Sequence, residues 1–159
     1  MPLNIQDLKI TSQDFEAGSA IDRSHSLDDE NHAPRLTISG VPREAVELVV
    51  ICHDPDAPLP RGFTHWTLYG IPPRAQELGS DADSTYRPGP NGAGTRGYVG
   101  PQPPAGHGPH HYYFWVYALD TKVDGTPTRE EFLSTYGSHI VEQNRLVGSF
   151  ENQPSDAVQ

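Results

Sequence analysis

Residues 97–119 read GYVGPQPPAGHGPHHYYFWVYAL, in which a loop rich in proline and glycine runs into a strongly apolar, aromatic segment. Proline and glycine favour turns, whereas the β-branched and aromatic residues of the second half are typical of a strand. Imidazoles and the phenol of Tyr112 therefore stand beside a surface that has to be buried. Small ligand sites are usually built from such polar groups beside apolar walls, so the stretch predicts a pocket at the start of a strand.

The rest of the chain shows the same alternation of short apolar runs with segments rich in Pro, Gly and Asp, which predicts a mostly β protein. The predicted strands are residues 8–11, 36–39, 45–52, 65–71 and 112–119. Residues 45–52 are almost continuously apolar and therefore predict a central strand that is covered on both faces. Residues 80–95, with several Asp, Pro and Gly, predict an extended surface loop.

The last third of the chain predicts two short helices. Thr128 stands three residues before Glu131 and ahead of Phe132, which is a capping-box pattern for a helix start. After Gly137, the apolar residues at positions 140, 141, 146 and 147 recur at roughly helical spacing and predict a second helix. Residues 151–159 are polar and predict a loose tail.

Length and composition limit the classes of function. The chain has 159 residues, which suits one domain spanning residues 1–159 with its core at about 8–150. Its 11 Lys and Arg against 21 Asp and Glu give a formal net charge of −10, which disfavours binding to nucleic acid or to anionic membrane surfaces. The single cysteine, Cys52, excludes an intrachain disulfide. We find neither a signal-peptide pattern nor a membrane-spanning stretch, so we expect a cytoplasmic protein.

Four polar side chains are the candidates for the pocket. Asp54 follows one predicted strand and His65 begins the next, so an antiparallel connection brings both to one end of a sheet. His110 and Tyr112 are two residues apart on a strand and share a face, while His111 points to the other face. Imidazole and phenol donors together can bind a phosphate or carboxylate without Lys or Arg, and Asp54 can orient a histidine. Each residue alone would more often be structural; the joint pattern carries the hypothesis.

This pattern resembles the phosphatidylethanolamine-binding protein family, which includes the Raf kinase inhibitor proteins, and most closely its bacterial branch. The matching blocks are Asp54-Pro55-Asp56-Ala57-Pro58, His65-Trp66 and Gly100-Pro101-Gln102-Pro103-Pro104-Ala105-Gly106 leading to His110-His111-Tyr112. The likeness spans roughly residues 8–150.

The resemblance implies a β-sandwich-like fold with a large central sheet, a smaller second sheet and short C-terminal helices. It also implies a small pocket for phosphate, acetate or a phospholipid headgroup such as phosphoethanolamine, no cofactor, and a homodimer. By motif position, the implied ligand-binding residues are Asp54, His65, Gly100, His110 and Tyr112, and the implied pocket wall is Asp56, Trp66, Gln102, Pro103 and Pro104. A kinase or protease partner is a further implication, although a shared pocket does not transfer a regulatory role.

The chain departs from the family pattern at His111, where the family usually has arginine. A permanently charged guanidinium is thereby lost from the strand face opposite His110 and Tyr112. The pocket assignment is unaffected, whereas any structural ion pair that depends on this arginine is in doubt.

Three functions remain open. The first is a non-catalytic module that binds phosphate-like anions or phospholipid headgroups and acts as a kinase or protease inhibitor-like regulator. The second is a phosphoester hydrolase that uses pocket histidines, although neither a Walker-type phosphate loop nor a G-x-S-x-G elbow occurs. The third is a metal site built from His53, Asp54, His107, His110 and His111, for which no familiar zinc-ligand spacing is present, so we expect no metal.

Overall fold

The protein is built from two antiparallel sheets, as seen in a computed structural model that describes residues 7–75 and 77–152. The strands are β1 (Lys9–Thr11), β2 (Leu36–Ser39), β3 (Glu47–Asp54), β4 (Phe63–Ile71), β5 (Glu77–Leu78), β6 (Arg87–Pro88), β7 (His110–Leu119) and β8 (Ile140–Phe150). The helices are α1 (Ala82–Thr85) and α2 (Arg129–Tyr136), with single 3₁₀ turns at Arg23–His25 and Gly137–His139. The small sheet has the order β1-β2-β5 and the large sheet the order β6-β4-β3-β7-β8. This architecture confirms the predicted fold class.

The large sheet is buried on both faces. On its inner face, Leu48, Val50 and Phe114 pack with Leu36 and Ile38 of the small sheet in what we call the inner core. On its outer face, an outer core forms from residues of the sheet and of α2, including Val49, Ile51, Tyr69, Tyr117 and Phe132. All eight residues of β3 are buried, which confirms the prediction of a central strand covered on both sides.

Helix α2 begins at the predicted capping box. The Thr128 hydroxyl accepts a hydrogen bond from the Glu131 backbone N–H at 3.1 Å, and the Glu131 carboxylate accepts one from the Thr128 N–H at 2.9 Å. Both bonds satisfy N–H groups that the first helical turn leaves without partners. The helix places the fully buried Phe132 in the outer core.

The predicted second C-terminal helix is wrong. Residues 140–150 instead form β8, which pairs with β7 from Leu119↔Ile140 to His110↔Phe150. Four apolar residues are too few to distinguish helical spacing from a strand. The edge of β7 that does not pair with β3 offers backbone donors and acceptors with which residues 140–150 can pair. The predicted loop 80–95 contains the short elements α1 and β6.

The predicted tail, 151–159, lies outside the described residues except for Glu151 and Asn152. In the part of the chain that is described, we find no helix both long enough and apolar enough to cross a membrane.

Candidate functional site

A pocket of about 270 Å³ lies where β3 ends and where β4 and β7 begin. Its polar lining consists of Asp54, His65, Gln102, His110 and Tyr112. Its apolar lining consists of Ala57, Pro58, Leu59, Phe63, Pro103 and Pro104. Neither lysine nor arginine occurs among these lining residues. The pocket therefore joins a few directed polar groups to a mostly apolar wall, which is the usual composition of a small-ligand site.

Antiparallel pairing brings the four candidate side chains together. Asp54 at the end of β3 pairs with Phe63 at the start of β4. On its other edge β3 pairs with β7, where His53 opposes Tyr113. The C-terminal end of β3 therefore lies beside the N-terminal ends of β4 and β7, at one end of the sheet. Strict alternation along β7 turns the buried His110 and Tyr112 towards the pocket side and the exposed His111 away from it.

A β-bulge turns His65 towards the pocket. Cys52 pairs with Trp66 and His53 pairs with Thr64, so His65 is the extra residue on β4. Alternation counted back from Tyr69, which packs in the outer core, would otherwise direct His65 to the outer face. The insertion instead lets His65 line the pocket beside Trp66, which packs in the inner core.

The His65 ring is fixed by one strong hydrogen bond. Its Nδ1–H donates to the Val99 carbonyl at 2.7 Å, in a buried setting. Burial lowers the pKa of His65 below its ordinary value, although the hydrogen bond to Val99 and the charge of Asp54 act in the opposite direction. The neutral ring therefore carries its proton on Nδ1 and presents Nε2 as an acceptor. In the part of the chain that the structure describes, the hydrogen bond of good geometry to this ring is the one from Nδ1 to Val99, and the Gly100 backbone also lies close to the ring and raises its pKa.

Asp54 and His110 form a buried carboxylate–imidazole pair. The side chain of Asp54 is 3% exposed and that of His110 is 5% exposed, and Asp54 Oδ2 lies 2.7 Å from His110 Nδ1. Asp54 Oδ1 accepts a second hydrogen bond from the Asp56 backbone N–H at 2.7 Å. Because the carboxylate can only accept, His110 Nδ1 carries a proton and Nε2 is directed away from Asp54. The Nε2 atom lies 2.8 Å from Nδ1 of His107.

Tyr112 supplies a hydroxyl that has no hydrogen-bond partner among the described residues. The residue is 1% exposed, and its ring stands edge-on to His65 with 5.1 Å between ring centroids. Burial, reinforced by the negative charge of Asp54, raises the pKa of Tyr112 far above its ordinary value, so the phenol keeps its proton. In the described part of the chain, no hydrogen bond involves its Oη atom. The hydroxyl is therefore a donor available to a ligand in the pocket.

Three of the residues implied by the resemblance lie outside the pocket lining. Trp66 lies one residue further along β4, is fully buried in the inner core and donates from Nε1 to Asp83 at 2.7 Å. Gly100 donates its N–H to the Asn31 side chain, and its backbone lies beside the His65 ring. At Gly100 a side chain would collide with the His25 carbonyl, 2.0 Å from an ideal Cβ, so glycine is required by this close approach.

The third, Asp56, faces His111. Its carboxylate accepts hydrogen bonds from the His111 backbone N–H and from Nδ1, both at 2.8 Å. Partial burial raises the pKa of Asp56, but the two hydrogen bonds from His111 outweigh this and lower it overall. Histidine thus provides a side-chain hydrogen bond to Asp56 at the position where the resemblance leads us to expect arginine. Through its backbone N–H, Asp56 also positions Asp54.

Several pocket residues were not predicted from the sequence. Ala57, Pro58, Leu59 and Phe63 line the pocket, although only Asp56 was assigned to the wall from this loop. Phe63 lies two residues before His65, so period-two spacing was the available signal. Within residues 7–75 and 77–152, we find no cluster of three or more His, Cys, Asp or Glu side chains suited to a metal ion.

Comparisons with known proteins agree with this fold. The family model described as phosphatidylethanolamine-binding protein matches residues 11–151. A UPF0098 protein from Methanothermobacter thermautotrophicus is 36% identical over 151 residues, covering 90% of this chain and 98% of the relative.

Two solved structures superpose closely. The crystal structure of CT736 from Chlamydia trachomatis, a putative phosphatidylethanolamine-binding protein homologue, has a TM-score of 0.85 and 35% identity, covering 92% of this chain and 98% of its own. YbcL from Escherichia coli, described as a new member of the mammalian PEBP family, has a TM-score of 0.85 and 30% identity, covering 93% and 100%. The chain therefore belongs to the phosphatidylethanolamine-binding protein family.

Proposed function

We propose that the chain is a non-catalytic binding protein whose pocket takes a phosphate-like anion, either free or as the headgroup of a phospholipid. The observation that carries the proposal is the pairing of a buried Asp54–His110 unit with two further polar groups, His65 Nε2 and Tyr112 Oη, around one small apolar-walled pocket. A pocket of about 270 Å³ suits a headgroup-sized ligand rather than a large one.

The chemistry of the four residues defines how an anion is held. The Tyr112 hydroxyl donates. His110, whose Nδ1–H is held by Asp54, donates from Nε2 when that nitrogen also carries a proton. His65 is neutral and accepts at Nε2, so the ligand has to bring a proton there or protonate the ring. Inorganic phosphate or a phosphomonoester that carries one proton satisfies this pattern, because its P–OH donates to His65 while its oxygens accept from the other groups. A phosphodiester headgroup has no P–OH, so it satisfies the pattern only when His65 itself takes up the proton.

The alternative function is a phosphoester hydrolase. The Asp54–His110 pair is the arrangement by which a carboxylate orients a histidine for acid–base catalysis. The hydroxyl in the pocket belongs to Tyr112, whose raised pKa makes it a poor nucleophile, and this favours binding over turnover. Incubation with phosphomonoester and phosphodiester substrates tests the alternative. Release of phosphate from the monoester, or of an alcohol and a phosphomonoester from the diester, that disappears in both His65→Ala and His110→Ala proteins would support hydrolysis.

Isothermal titration with inorganic phosphate and with phosphoethanolamine tests the proposed function. His65→Ala should weaken binding of both ligands while the protein stays folded. His53→Ala is the matched control, since His53 is as buried as His65 but bonds Thr64 on the outer side of the sheet. Unchanged affinity in His65→Ala, or equal weakening in His53→Ala, would contradict the assignment.

The same titrations distinguish a lipid headgroup from a free phosphate as the source of the phosphoryl group. Tighter binding of glycerophosphoethanolamine, a phosphodiester, than of inorganic phosphate would indicate a lipid headgroup, and the reverse order would indicate a free phosphate or monoester. A homodimer, a kinase or protease partner, and a cytoplasmic location stay predictions from the sequence.

A further inference from the structure

His107 occupies the histidine nitrogen that an anion needs. His110 has two ring nitrogens, of which Nδ1 is bonded to Asp54 at 2.7 Å and Nε2 lies 2.8 Å from His107 Nδ1. The two imidazole rings are 5.0 Å apart between centroids and tilted by 52°, which is compatible with a hydrogen bond between ring nitrogens. Both nitrogens of His110 are therefore already engaged within the protein.

A ligand cannot share His110 Nε2 with His107. The nitrogen has a single lone pair or a single N–H, so it makes one good hydrogen bond at a time. Asp54 cannot bind the anion in place of His110, because a carboxylate only accepts hydrogen bonds and repels another negative charge. An anion that hydrogen bonds to His110 must displace the His107 ring.

His107 is well placed to move without disturbing the fold. Its side chain is exposed, whereas its backbone is held: the His107 N–H donates to the Pro104 carbonyl, and the neighbouring Gly106 N–H donates to the Asn152 carbonyl. A second bond from the Asn152 side chain to the Pro103 carbonyl fixes the same loop. Rotation of one side chain into solvent thus vacates His110 Nε2, while Pro103 and Pro104 keep their places in the pocket wall.

We propose that His107 is a built-in competitor of the ligand, a side chain that occupies His110 Nε2 in the empty pocket and rotates out when an anion binds. The proposal deepens the proposed function and rests on it. His107 thereby sets the affinity of the site. The cost of displacement is about one hydrogen bond between neutral groups, which corresponds to a change of about three- to tenfold in the dissociation constant.

Titration of inorganic phosphate into wild-type, His107→Ala and His139→Ala proteins tests the proposal. His139 is the matched control, an exposed histidine whose ring bonds Asp120 and not His110. His107→Ala should bind phosphate about three- to tenfold more tightly than wild type, and His139→Ala should bind like wild type. The gain from removing His107 should vanish when His110 is also replaced by alanine, because no Nε2 then remains to be released.

A second readout follows the His107 ring itself. In nitrogen-15 spectra of the imidazoles, saturating phosphate should move the His107 signals of the wild-type protein to those of a solvent-exposed ring. Weaker or unchanged binding in His107→Ala, or His107 signals that stay constant at saturation, would overturn the proposal while leaving the proposed function intact. Phosphate binding by neither wild type nor His107→Ala would refute both, whereas binding by His107→Ala alone would support the competitor directly.

Discussion

Replacing Tyr112 by phenylalanine should weaken the binding of phosphate without destabilising the protein. The substitution removes one hydroxyl from a side chain that is 1% exposed and lines the pocket. A hydrogen bond to a charged acceptor contributes about 1.5–3 kcal/mol, so the dissociation constant should rise by about tenfold to 150-fold. Since the hydroxyl has no partner among the described residues, its loss should change the free energy of unfolding by about 0–1 kcal/mol in the stabilising direction.

Tyr113→Phe is the matched control, because it removes the same group from the next residue of β7, on the opposite face. The assays are isothermal titration with phosphate and urea unfolding without the anion, each for wild type and both variants. Equal phosphate affinity in Tyr112→Phe and wild type would refute the role of the hydroxyl. A loss of more than about 1 kcal/mol in the free energy of unfolding would show that the hydroxyl had a structural partner.

Three further outcomes are expected. Because His65 accepts at Nε2, one proton should be taken up with each phosphate that binds. The affinity for phosphomonoesters should therefore rise by up to about tenfold when the pH falls by one unit, from 8 to 7. Titrations in buffers of different ionisation enthalpy measure this proton uptake. Burial, with the charge of Arg129, lowers the pKa of His53 from 6.5 to about 4. Between pH 4 and 6.5 the unfolded chain therefore binds more protons at His53 than the folded protein does, and wild type should lose up to about 3 kcal/mol of unfolding free energy on acidification from pH 6.5 to 4. Urea unfolding of His53→Gln should show a correspondingly smaller loss. An equal dependence of the unfolding free energy on pH in both proteins would contradict this prediction. Phe132→Ala should cost about 3–5 kcal/mol in the same unfolding assay, since Phe132 is fully buried between α2 and the sheet, and a cost below about 1 kcal/mol would show that α2 contributes little to the outer core.

The fold was predictable where sequence pattern and burial act together. Residues 45–52 could be recognised as a doubly covered strand because both faces are apolar, and Thr128 with Glu131 marked the start of α2 because the cap bonds are local. Residues 140–150 could not be recognised as β8, because their conformation follows from pairing with β7, a contact that a short apolar pattern does not specify.

The candidate site was predictable to a similar extent. Alternation along β7 was sufficient to direct His110 and Tyr112 to one face. The orientation of His65 depends on a bulge, which is a property of two paired strands and has no signal in β4 alone. The contact between His107 and His110 depends on the path of the intervening loop. The sequence therefore showed that several histidines are present, but not which ring nitrogens are hydrogen bonded to each other.

A crystal structure of the protein with phosphoethanolamine tests the central claim most directly. The account predicts the phosphoryl group in the pocket, within hydrogen-bond distance of His65 Nε2, Tyr112 Oη and His110 Nε2, with the His107 ring turned out to solvent. A phosphoryl group bound elsewhere on the protein, or a pocket that holds only water at saturating ligand, would contradict it.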